Sequence, residues 1–265
     1  MTTLAFPDYL EHLRAESRRF RDVLASCDPA ARVPGCPDWD AADLLWHLAG
    51  VQWFWSTTIR TRPAPPSEDD EGPQRPETYD GLLAAFDTYS ADLVEALEQA
   101  DPAEPSWTWS DDKTVGFSFR RQAHEALIHR LDAEQAAGQE TALDSRLAAD
   151  GVAEVLGVMY GGVPSWGEFA SSGKRVRLDC TDTGDSPWVE IGQFTGTDPD
   201  EGKAYDEIAL EPVADPGEEP DLVIAGPAGP LDAWLWKRGT DEQVQVAGDD
   251  DVLRRFREAV SHPID

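Results

Sequence analysis

The stretch HEALIHRLDAE, running from His124 to Glu134, decides how this chain is read. At first sight it offers the H-E-x-x-H motif by which a helix presents two histidines to zinc. That motif needs its histidines four residues apart, because 3.6 residues per turn then put both rings on one face. Here His124 and His129 are five apart. They leave the helix about 140° from each other, too divergent for one ion to accept both. Glu125 and His129 are four apart and project from the same face one turn from each other, which makes half of a metal site.

The surrounding pattern predicts a helix from about Phe117 to Ala137, stopped by Gly138. Upstream, ARVPGCPDWD reads as a loop, with Asp38 or Asp40 as N-cap of a helix running to about Ile59. In that helix Leu44, His47, Leu48, Val51 and Trp55 share one stripe, so His47 sits among residues that face the core. A first helix opens on a capping box of Asp8 and Glu11 and carries Leu10, Leu13, Phe20, Val23 and Leu24 to near Cys27. Another is capped by Thr78 and holds Tyr79, Leu82, Phe86, Tyr89, Leu93 and Leu97 on one face almost to Asp101. Between the second and third helices, RTRPAPPSEDDEGPQRPE is too rich in proline and charge for regular structure and reads as a long exposed loop. Four helices of this length predict a bundle, an architecture that builds metal sites from inward side chains on facing helices.

On this reading His47, Glu125 and His129 form one constellation. Two imidazoles and a carboxylate suit zinc, and three protein ligands leave a fourth position for water or substrate, as in catalytic zinc sites. The competing assignment makes His47 a core imidazole bonded to a carbonyl or carboxylate, with Glu125 and His129 packed around water in a metal-free interaction module. His124, on another face, is a proton donor, a substrate anchor or an interhelical hydrogen-bond partner. Asp132 is placed either to orient His129 or to pair with a cation such as Arg130. Trp46, Trp53 and Trp55 line a cavity beside the metal or pack the core.

From about Ala142 the texture changes. LDSRLAADGVAEVLGVMY predicts one more helix, and RVRLDCTDTGDSPWVEIG alternates on both sides of a turn, as a hairpin does. DLVIAG reads as a strand, PAGPLDAWLWKRG as a helix opened by proline, EQVQVAG as a strand and DDDVLRRFREAV as a closing helix. The glycines of AGPAGP lack the residues of a phosphate loop. The predicted class is α+β, with a four-helix domain over residues 1–145 and a small α+β domain over 146–265.

Composition narrows the partners. A net charge of −30 sets nucleic acid and anionic membrane surfaces against like-charge repulsion. Acidic runs such as SEDDEG (67 to 72) and DPGEEPD (215 to 221) read as solvated loops. No segment approaches the ~20 apolar residues of a membrane span, and no signal peptide is evident. The expectation is a cytoplasmic protein, a monomer or homodimer. The three cysteines, Cys27, Cys36 and Cys180, form neither a CxxC pair nor a secreted framework, so reduced thiols are expected. Cys36 is either packed and inert or a reactive thiol.

VPGCPDWDAADLLWHLAG and RRQAHEALIHRLDAE resemble motifs of the actinobacterial mycothiol-dependent maleylpyruvate isomerase family. LAADGVAEVL resembles the family's interdomain link, and DLVIAGPAGPLDAWLWKRG its C-terminal domain. The resemblance implies a DinB-like four-helix bundle followed by a mixed α/β, sterol-carrier-like domain. It implies a divalent metal, usually zinc, on His47, Glu125 and His129, and mycothiol as thiol cosubstrate for a small electrophile. It also implies an active-site arginine from the second domain, for which Arg238 is the candidate; the local alternative is that Arg238 caps its own helix. Fold does not fix reaction. The expected activity is isomerisation or thiol transfer, and the alternative is a noncatalytic ligand-binding protein with a vestigial or absent metal.

Overall fold

The computed structural model describes residues 4–67, 72–199, 201–262 and 264, in two compact units, 4–143 and 144–265. The acidic core of SEDDEG, residues 68–71, lies outside the described residues.

The first unit is a four-helix bundle. Its helices are α1 (Phe6–Leu24), α2 (Ala41–Thr61), α3 (Tyr79–Glu98) and α4 (Val115–Ala137). Around the bundle, α1 packs on α4, α4 on α2, α2 on α3 and α3 on α1. This order makes α2 and α4 neighbours, which places the histidine of one against the Glu–His pair of the other. The bundle core is aliphatic and aromatic, with Phe20, Leu24, Leu44, Leu45, Leu48 and Phe86 all buried.

Local chemistry sets the helix ends. Asp40 caps α2 through a reciprocal box, its side chain accepting from the Asp43 amide while the Asp43 carboxylate accepts from the Asp40 amide. Thr78 accepts from the Gly81 amide at the start of α3. At the end of α4, Gly138 takes φ 65°, a left-handed cap that costs glycine no Cβ clash. The capping box expected of Asp8 and Glu11 does not form. The helix begins one turn earlier, at Phe6 after Ala5, with Pro7 supplying a preset φ and no orphan amide in the first turn.

The second unit opens with α5 (Ser145–Glu154), which runs into a single π-turn over Val155–Met159. Its sheet has the order β3-β2-β1-β4-β5, formed by β1 (Gly167–Cys180), β2 (Trp188–Thr197), β3 (Ala204–Val213), β4 (Leu222–Gly226) and β5 (Gln245–Gly248). The predicted hairpin is the antiparallel β1–β2 pair, and β4 joins β1 in parallel. Two helices complete the unit, α6 (Ala228–Leu235) and the amphipathic α7 (Asp250–Ala259). The sequence reading missed β3. Its AYDEIALEPV is an edge strand, mostly half-buried, with three carboxylates and a proline that mask the period-2 pattern. Charge and proline disfavour the pairing of such an edge with another strand, and Leu210 bridges to Gly161. Among the described residues, no helix is long and apolar enough to cross a membrane.

Candidate metal centre

The loop before α2 is built from short main-chain bonds. Cys36 N donates to Val33 O at 3.1 Å, and Trp39 N to Cys36 O at 2.9 Å. Val33 and Cys36 are buried in the bundle core, so the loop is anchored and Trp39 is set down against the first turns of α2. Its ring lies 4.6 Å, centroid to centroid, from that of His47.

From α2 and α4 three side chains converge. Donor atoms of His47, Glu125 and His129 all lie within 4.8 Å of one another. Glu125 Oε1 is 3.2 Å from His129 Nε2 and 3.6 Å from His47 Nε2. The two imidazoles meet edge to face, with centroids 4.8 Å apart. Three of the four candidate site residues are thereby brought together. Arg238 belongs to the other unit, at the end of α6, where its guanidinium donates to the carbonyls of Trp236 at 2.7 Å and Ile264 at 3.3 Å.

Two buried charges hold the Glu–His pair in place. Asp132 Oδ2 is 3.0 Å from His129 Nδ1, which turns the other ring nitrogen toward Glu125. Arg121, one turn before Glu125, donates from Nη2 to Glu125 Oε2 at 2.8 Å. Burial alone would raise the Glu125 carboxyl, but the Arg121 guanidinium and then the two imidazoles outweigh it and hold Glu125 well below the usual carboxylate range. Burial would likewise lower His129. Its hydrogen bonds to Asp132 and Glu125 prevail and carry it up to about 9.

These residues fit a divalent cation. His47 Nε2 is buried with no hydrogen-bond partner, although it is aimed at a carboxylate oxygen and another imidazole. A buried polar atom in that position lacks a bond that a cation would supply. Two nitrogens and one oxygen are a donor set that zinc accepts.

The remaining sequence candidates fall outside the cluster. His124 is buried and meets Tyr9 edge-on, with centroids 6.1 Å apart. Trp55 is buried among Phe54, Trp107, Trp109 and Phe117 as core packing, while Trp46 and Trp53 are half-buried. The three cysteines are free thiols; Cys36 is buried, and burial with nearby aspartates pushes Cys180 up to about 12. Sequence reasoning assigned no role to Arg121 or to Trp39. Arg121 was findable as an opposite charge four residues before Glu125 on the same face. Trp39 was not, because its place depends on the fold of the loop.

Residues 10–134 match the family model described as mycothiol maleylpyruvate isomerase N-terminal domain, and residues 146–255 match that described as MDMPI C-terminal domain. No curated protein matches the chain. Among solved structures, a histidine-to-alanine mutant of mycothiol-dependent maleylpyruvate isomerase is similar with a TM-score of 0.61 and 15% identity, over 93% of this chain and 96% of that one. A second structure of mycothiol-dependent maleylpyruvate isomerase has a TM-score of 0.57 and 13% identity over the same shares. At these identities the likeness is one of fold.

Proposed function

The chain belongs to the mycothiol maleylpyruvate isomerase family, and from that premise we propose that it is a metal-dependent, thiol-using enzyme. His47, Glu125 and His129 would hold the metal, with zinc the best match to the donor set and mycothiol the thiol cosubstrate. The reaction is cis/trans isomerisation of the maleylpyruvate class or the related transfer of the thiol to a small electrophile. When bound, the metal would supply positive charge that keeps a thiol ionised near neutral pH.

The observation that carries the reading is the convergence of two helices on one point: His47 Nε2, buried with no hydrogen bond of normal length, faces Glu125 Oε1 across 3.6 Å from a different helix. Three protein ligands fit a catalytic zinc better than a structural one, which normally takes four.

The chain's own groups then divide the work. Asp132 fixes the orientation of His129, Arg121 that of Glu125, and Trp39 covers one side of the His47 ring. A thiolate adding to an activated double bond forms a C–S bond and leaves a single bond about which the adduct rotates. Expulsion of the same thiolate returns the trans isomer with nothing consumed; protonation of the adduct carbon completes S-transfer instead. Arg238 is proposed as the active-site arginine through the family resemblance alone; its guanidinium donates to the carbonyls of Trp236 and Ile264.

The test is direct. Zinc-loaded protein is incubated with mycothiol and maleylpyruvate, and the products are separated by chromatography with mass detection. Thiol-dependent appearance of the trans isomer, or of a mycothiol adduct, supports the reading. Neither product, with maleylpyruvate or with a panel of other small unsaturated acids, contradicts it.

A further inference from the structure

The two oxygens of Glu125 face different partners. Oε1 is turned to the imidazoles, 3.2 Å from His129 Nε2 and 3.6 Å from His47 Nε2. Oε2 accepts from Arg121 Nη2 at 2.8 Å. Arg121 sits one helical turn before Glu125, with its side chain 1% exposed, so the pair is shielded from water. A charge-assisted bond from a planar guanidinium is directional, which an ammonium in the same place is not.

We propose that Arg121 is a positioning residue that reserves one oxygen of Glu125, so that the carboxylate offers a metal a single ligand atom. The inference rests on the metal reading of His47, Glu125 and His129. Carboxylates bind cations through one oxygen or through both. A Glu125 free to close with both would occupy the position that a catalytic site keeps for its exchangeable ligand. By holding Oε2, Arg121 keeps that position for a thiol. Its role differs from that of Asp132, which orients a ligand already limited to one donor atom.

A merely structural ion pair makes a different prediction. Its removal would loosen Glu125 and weaken metal binding. Removal of a reserving group leaves the metal in place, because Glu125 then offers two oxygens and a neighbouring positive charge has gone.

The experiment loads wild type and Arg121→Gln with cobalt(II), measures metal per chain, and records the visible spectrum with and without a low-molecular-weight thiol. The expected result is retained cobalt in both proteins. In the variant the visible bands weaken several-fold as the coordination number rises, and the sulfur-to-cobalt charge-transfer band with added thiol is diminished. Arg121→Lys, which keeps the charge without the fork, falls between the two. Superimposable spectra in fully loaded proteins, or loss of cobalt from a folded Arg121→Gln, overturn the inference and leave the metal site standing. A wild type that takes up no cobalt overturns the metal reading itself. Should Arg121→Gln fail to fold, infrared difference spectra of wild type labelled with carbon-13 in glutamate decide the matter. Metal loading should widen the splitting of the Glu125 carboxylate stretches, as for one-oxygen ligation, and a narrowed splitting contradicts the proposal.

Discussion

Asp132 Oδ2 stands 3.0 Å from Nδ1 of His129, and both side chains are buried on the same helix one turn apart. The contact fixes which ring nitrogen of His129 faces Glu125. Groups that orient a metal-bound histidine typically govern affinity without touching the ion. Asp132→Asn should therefore weaken zinc binding by about 10- to 100-fold, measured by competition with a chromogenic chelator. Wild-type affinity in the folded variant would show that the orientation of His129 is set elsewhere.

The same contact predicts a pH dependence. His129 is raised from 6.5 to about 9 in the folded, metal-free chain. A proton held more tightly in the folded than in the unfolded state stabilises the fold. That stability is fully present below pH 6.5 and is lost as pH rises through about 9. Urea unfolding of chelator-treated protein should show the midpoint falling across this window, with the decline absent in His129→Gln. Over the same window zinc affinity should rise, since metal and proton compete for Nε2. A midpoint that responds to pH identically in both proteins would contradict the assignment.

His124 provides a control on helix geometry. It precedes Glu125 directly but lies on another face, against Tyr9. His124→Gln should keep the zinc of wild type, whereas His129→Ala loses it. Metal analysis of the two proteins side by side checks this, and loss of metal from a folded His124→Gln would revive a ligand role for that residue.

A second group of buried charges is structural. Arg130 donates to Glu16 at 2.7 Å and to Glu134 at 2.9 Å, and Glu134 also accepts from Arg19 and from the Thr141 amide. Arg130 and Glu134 are almost wholly buried. Removing one partner strands the others away from water, so Arg130→Met should cost about 3–5 kcal/mol. Denaturant unfolding measures it. Zinc stoichiometry should be unchanged in the variant that remains folded, which separates this cluster from the candidate metal centre.

The helical unit was largely legible because its signals are local. Thr78, Gly138 and the stripes of Leu44, Leu48 and Leu82 each announce a helix through nearest turns. Glu125 and His129 were legible for the same reason, as a pair on one face. The order of helices around the bundle was not, and that order brings His47 to them. Strand β3 escaped because an edge strand need not be apolar. At the start of α1, the Asp8 and Glu11 pattern competed with Pro7, and proline prevailed by presetting the first turn. Trp39 owes its place to a loop whose hydrogen bonds run between residues no periodicity connects.

The central claim is that His47, Glu125 and His129 hold a divalent metal. It is tested most directly by elemental mass spectrometry on protein purified without chelator, with folded His47→Ala and His129→Ala variants alongside. The account predicts about one zinc per chain in the wild type, as three converging ligands require, and its loss in both variants. A wild type without metal, even after zinc is restored and excess removed, would contradict it.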